Sequence, residues 1–163
     1  KSVRFKWREH VTKTVSENGE ALEKFCNALK DGNSEVVEQS LNNYLKRTIS
    51  IRDTFVKKQM KENFYHGILL GILGFQQNWS VSSNKESGDG YSDILIETED
   101  QETGIIIEIK YAETGNLEAV SKDALKQIED RRYEEQLLEE GVEHILKYGI
   151  AFYKKKCKVM AVK

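Results

Sequence analysis

The stretch Gly104-Ile105-Ile106-Ile107-Glu108-Ile109-Lys110-Tyr111 decides the fold. Four isoleucines in eight residues mark a buried β-strand, yet a carboxylate and an ammonium stand among them. Charged groups leave water only when they are paired or bound to something. Side chains alternate along a strand, so Glu108 and Lys110 share one face, and Ile105, Ile107 and Ile109 share the other. Upstream, Tyr91–Glu97 (YSDILIE) reads as a second strand, with Asp93 and Leu95 on one face and Ile94 and Ile96 opposite. The polar segment Thr98–Thr103 between them signals a hairpin. A turn near Asp100 and Gln101 sets Asp93 about opposite Glu108, and a slip of one residue would undo the juxtaposition.

In that register two carboxylates and a lysine converge on an otherwise apolar sheet. Adjacent carboxylates repel, and in low dielectric one of them takes up a proton unless a cation is present. Mg²⁺ or Mn²⁺ resolves the conflict, because carboxylate oxygens are preferred ligands of hard divalent ions. Asp93 and Glu108 are therefore candidate metal ligands, and the backbone carbonyl of Ile109 is a further one. Lys110 has the chemistry to orient or deprotonate a water, or to offset charge developing on a phosphate. These parts suit phosphodiester hydrolysis. The spacing acid-x-Lys carries little weight alone, and a structural ion pair or a charged edge strand is the competing account.

The rest of the chain gives these strands a setting. Its 163 residues, 39% hydrophobic and 32% charged, suffice for one domain with a real core. A formal net charge of -2 excludes a global nucleic-acid or membrane signal, so any such surface must be a local basic patch. The two cysteines, Cys26 and Cys157, read as reduced thiols, with neither a disulfide nor a zinc site expected. No apolar run has membrane-spanning length and no signal peptide opens the chain, which points to the cytoplasm. The start at Lys1 rather than Met is compatible with a piece of something larger.

Up to about Gly74 the pattern is helical, and strands follow. Val3, Trp7, Val11 and Val15 recur at helical spacing, as do Ala21, Leu22, Phe25, Ala28 and Leu29, which end at Asp31-Gly32-Asn33. Ser34 is the expected cap of a segment carrying Val36, Val37, Leu41, Tyr44 and Leu45. A longer helix, roughly Phe55 to Gly74, aligns Phe55, Glu62, Leu69 and Leu73, so Glu62 lies inside the apolar stripe with His66 beside it. A strand begins near Trp79 and Val81, and the segment 83–90 (SNKESGDG) reads as a loop. Leu117–Glu140 reads as one long helix with Leu117, Val120, Ala124, Ile128 and Leu138 in its stripe and Gly141 as its stop. Tyr148–Tyr153 and Cys157–Val162 read as strands around the basic turn Lys154-Lys155-Lys156. The expected fold class is α+β.

Six blocks in order carry a resemblance: ISIRD, ENFYHGILLGILG, SNKESGDGYSDILIE, GIIIEIKYAE, ALKQIEDRRY and ILKYGIAFYKKKCKVM. Together they resemble the PD-(D/E)XK nuclease superfamily, and more closely the bacterial family in which such a domain follows an AAA-ATPase-like domain. The resemblance implies a restriction-endonuclease-like mixed sheet flanked by helices over residues 55–163, with residues 1–54 as a helical segment packing on it. It implies a Mg²⁺-dependent nuclease acting on nucleic acid, DNA first, with an AAA-ATPase-like partner. Asp93 and Glu108 become metal ligands, Lys110 the catalytic lysine and Glu62 a supporting acid. Gln127 and Tyr133 match positions in the second helix. In the loop, Tyr91 stands where similar proteins carry a basic residue, and Glu86 is a minor candidate ligand.

Tyr133, Arg132, Lys154 and Lys155 are weaker candidates for nucleic-acid contact, the lysines set against a solvated turn and the arginine against ion pairing with nearby glutamates. Tyr133 is set against packing, Gln127 against a solvated flank, and His66 against a packed histidine. The alternative function is a nuclease-like module that binds nucleic acid, or regulates a larger ATPase-containing protein, without cutting.

Overall fold

The structure, a computed structural model, describes residues 19–48, 58–85, 91–130 and 133–163. The stripe Val3–Val15, the block ISIRD, Phe55, Glu86 and Arg132 lie outside these residues, as does the side chain of Tyr91. Among these residues three helices come first: α1 (Gly19–Asp31), α2 (Ser34–Thr48) and α3 (Lys58–Leu73). Three strands follow, β1 (Ser80–Lys85), β2 (Tyr91–Glu97) and β3 (Thr103–Tyr111). Helices α4 (Leu117–Asp130) and α5 (Tyr133–Glu139) then lead to β4 (His144–Tyr153) and β5 (Lys156–Val162). The five strands form one mixed sheet in the order β1-β2-β3-β4-β5, parallel only between β3 and β4. This is the expected α+β architecture. Among the described residues no helix is long and apolar enough to cross a membrane.

The two faces of the sheet divide the core as the isoleucines predict. Ile94, Ile96, Ile105, Ile107 and Ile109 pack with Phe25 and Leu29 of α1, Val37, Leu41 and Leu45 of α2, and Leu69 and Leu73 of α3. On the other face Leu95 and Ile106 meet Ile128 of α4, Leu137 of α5 and Val142 in a smaller cluster. Helices α1 and α2 therefore share one hydrophobic core with the sheet.

Several local expectations change. Within 117–140 the described residues are helical over 117–130 and 133–139, and Leu137 is buried while Leu138, expected in the stripe, is 52% exposed. The cap of α2 is Asn33 rather than Ser34, since its Oδ1 accepts the Val36 N–H at 3.3 Å. Strand β1 extends into the expected loop as far as Lys85, and β4 begins four residues early at His144 because it follows β3 along its whole length.

Tyr148 joins the helical segment to the sheet. Its buried hydroxyl donates to the carbonyls of Leu29 at 2.6 Å and Ala28 at 3.3 Å, at the C-terminal end of α1 where carbonyls lack helical partners. Tyr148→Phe is expected to cost about 1–2 kcal/mol, the range for removing a buried hydrogen bond, read as a lower denaturation midpoint with unchanged m-value. The open edge of β5 is also occupied. Asn42 of α2 donates to the Cys157 carbonyl (3.3 Å) and accepts its N–H (2.8 Å), while Glu38 accepts the Val159 N–H at 2.9 Å.

Candidate active site

The turn after β2 fixes everything downstream of it. Asp100 Oδ1 accepts the Thr98 hydroxyl at 2.6 Å and the N–H groups of Glu102 and Thr103 at 3.0 and 3.1 Å. These bonds, with Lys30 of α1, hold the Asp100 carboxyl well below the usual carboxylate range. Gln101 takes the left-handed conformation at φ 58° to complete the turn. The resulting register pairs Glu97 with Gly104, Leu95 with Ile106 and Asp93 with Glu108.

The Asp93–Glu108 pair is also where the ladder stops, although β2 reaches back to Tyr91 and β3 runs on to Tyr111. The two strands part at this point. Helix α3 enters on the β3 side of the gap, where Glu62 Oε1 accepts the Tyr111 N–H at 3.1 Å. The next amide, Ala112 N–H, bonds the other way, to Phe152 of β4 at 2.8 Å. Backbone groups alternate along a strand, so Ile109, two residues before Tyr111, also sends its N–H and C=O toward the gap. Glu62 thus lies against the end of β3, as its place in the helical stripe suggested.

Burial makes the pair chemically demanding. Asp93 is 0% and Glu108 1% exposed, and Glu108 Oε2 has no hydrogen-bond partner. A carboxylate oxygen withdrawn from water needs a donor or a cation, and the polypeptide supplies neither to this atom. A hard divalent ion would fit that deficit, and the oxygens that could hold it are those of Asp93, Glu108 and the Ile109 carbonyl. Among the described residues no three His, Cys, Asp or Glu side chains cluster as a metal cage. A two-carboxylate site agrees with Mg²⁺, which keeps several waters and is held by one or two carboxylates.

The remaining candidates separate. Lys110 is half-buried on the Glu108 face, one strand from Ala151. Gln127 is half-buried on α4 beside buried Ala124 and Ile128, on the helix that covers this face. Helix α4 comes close because Glu108 pairs with Gly149, where a Cβ would stand 2.3 Å from the Ser121 carbonyl. Tyr133 packs against the smaller core cluster. Lys154 and Lys155 form the β4–β5 turn, Lys154 exposed with φ 52° and Lys155 half-buried. Since β3 and β4 are parallel, that turn lies at the same end of the sheet as Lys110.

His66, discounted on sequence, is buried behind Asp93. Its Nε2 lies 3.1 Å from Ser83 Oγ, and the Asp93 backbone carbonyl faces the ring. Burial is the larger influence and lowers its pKa, and the carbonyl opposes it. Its spacing of one turn from Glu62 was the available signal.

A family model described as the PD-(D/E)XK nuclease superfamily matches residues 60–162. No match was found among curated proteins or among solved structures.

Proposed function

The chain belongs to the PD-(D/E)XK nuclease superfamily, and from that premise we propose that it is a divalent-metal-dependent nuclease that hydrolyses DNA at the Asp93–Glu108 pair. The observation that carries the reading is the buried, unpartnered Glu108 Oε2 directly across the hairpin from Asp93. Asp93 and Glu108 would hold Mg²⁺ or Mn²⁺, and the Ile109 carbonyl could add a further oxygen. The ion, when bound, supplies Lewis-acid stabilisation of charge on the phosphate. Lys110 orients the attacking water by hydrogen bonding and offsets the charge that grows on the phosphate oxygens. Glu62 acts as a supporting acid at the end of β3, and Gln127 positions substrate from α4. Water adds to phosphorus, the P–O ester bond breaks, and a phosphomonoester and an alcohol result. An AAA-ATPase-like domain as partner belongs to the same proposal and rests on the six sequence blocks alone.

The test is cleavage of a labelled DNA duplex with and without Mg²⁺. Lys110→Ala is expected to lower the rate by about 10²- to 10³-fold, the scale for losing one group that meets developing charge. It should leave metal affinity, measured by calorimetric titration with Mn²⁺, within about threefold. Undiminished cleavage in Lys110→Ala and Asp93→Ala together would overturn the nuclease reading. Tight DNA binding by a wild-type protein that never cuts would favour the non-cleaving module instead.

A further inference from the structure

Four lysines gather where β3 and β4 end, and two of them have an unusual seat. The Lys61 ammonium stands 4.5 Å from the centre of the Tyr111 ring, and that of Lys154 stands 5.2 Å from the Tyr153 ring. The two rings are neighbours, 6.0 Å apart. Tyr65 stacks between Tyr111 and Phe152, and its hydroxyl donates to the Lys154 carbonyl at 2.6 Å, fixing the β4–β5 turn to α3. Among the described residues Lys61, Lys110, Lys154 and Lys155 have no carboxylate in ion-pair range. Lys30, Lys122, Lys147 and Lys158, elsewhere in the protein, each have at least one. An aromatic face holds an ammonium in place without neutralising it, so these seats keep positive charge available.

We propose that Lys61, Lys154 and Lys155 form a track for a nucleic-acid phosphate backbone that leads over the ends of β3 and β4 to Lys110. The partner chemistry follows from the charge, because spaced cations on a protein of net charge -2 suit a polyanion rather than a single anion. The track does not read sequence. Tyr111 is 3% exposed and its ring is spent on the core and on Lys61, so bases have no stacking platform there. Contacts to phosphates position a nucleic acid without carrying sequence information. The inference rests on the nuclease reading for its end point at Lys110 and extends it to how substrate is held.

The test is the salt dependence of binding to a labelled 30-base-pair DNA duplex in metal-free buffer, where no cleavage occurs. Lys61→Gln/Lys154→Gln is expected to weaken binding about tenfold or more, and to flatten the slope of log K against log salt by about 2, near one per phosphate contact. Lys24→Gln/Lys46→Gln, on α1 and α2, removes the same charge and should leave the slope unchanged. Equal slopes for wild type and the first pair, equal losses in both pairs, or no salt-dependent binding by wild type would each overturn the track. The outcomes separate from those of the nuclease reading. Unaltered binding by the first pair, with cleavage still abolished by Asp93→Asn, removes the track alone. A slope that responds as expected in a protein that never cuts removes the nuclease alone.

Discussion

Glu108→Gln is expected to abolish Mg²⁺-dependent cleavage, by about a thousandfold or more, and at the same time to raise the melting temperature of the metal-free protein. Both effects have one origin. In the free protein two buried carboxylates face each other across β2 and β3, and one oxygen of Glu108 has no partner. Each uncompensated group of this kind costs about 1–3 kcal/mol, more when charged. Glutamine keeps the shape, removes the charge and offers an amide N–H to Asp93, so repulsion becomes a hydrogen bond. For a domain of this length a gain of about 1 kcal/mol raises the midpoint by roughly 2–4 °C. On the proposed reading the same change removes a metal ligand, so millimolar Mg²⁺, which should stabilise the wild-type protein by mass action, should no longer shift the melt of the variant. Thermal melts with and without Mg²⁺, beside cleavage assays, check both halves. A variant that cuts at the wild-type rate would show that Glu108 is not a ligand, and one that melts lower would show that its oxygen is satisfied in the native protein.

Gly149→Ala is expected to be the most damaging small substitution in the sheet, costing about 3 kcal/mol or more and lowering activity with it. The added methyl would stand 2.3 Å from the Ser121 carbonyl and 2.9 Å from the Leu125 amide, both backbone atoms that no rotamer change can move. Relief requires α4 to shift as a body, away from the face that carries Glu108 and Lys110. Denaturant unfolding should show the loss, and a crystal structure of any surviving variant should show α4 displaced. Wild-type stability would mean that α4 does not sit on Gly149 as described. Ala151→Gly, two residues on in the same strand, is the contrasting change. It removes a small buried side chain without forcing α4 to move.

Much of the site was legible because strands encode it with a period of two. The alternation in GIIIEIKY and YSDILIE assigned every side chain to its face, and the polar interval between them was short enough to limit the register. What settled the register was Asp100, whose side chain organises the turn in a way that its polarity alone does not announce. Glu62 was visible as a carboxylate inside an apolar stripe. His66 was not, because a single histidine on a helix face reads the same whether it packs passively or meets a ligand-bearing strand. Gly149 carried a usable signal, a glycine inside the apolar run KYGIAFY, since glycine within a strand often marks close approach of another backbone.

The side chains of α2 along β5 have a consequence for how the protein can fail. An unprotected edge strand is a template on which another chain can add a strand. Here Asn42 and Glu38 occupy those backbone groups. A version trimmed to the limits of the family match, residues 60–162, would keep all five strands but lose this guard and the two helices that cover one apolar face of the sheet. Its expected fate is recruitment of a sister molecule through β5, giving strand-exchanged dimers or fibrils. Helices α1 and α2, which precede the matched residues, thus close both an apolar face and the outer edge of the sheet.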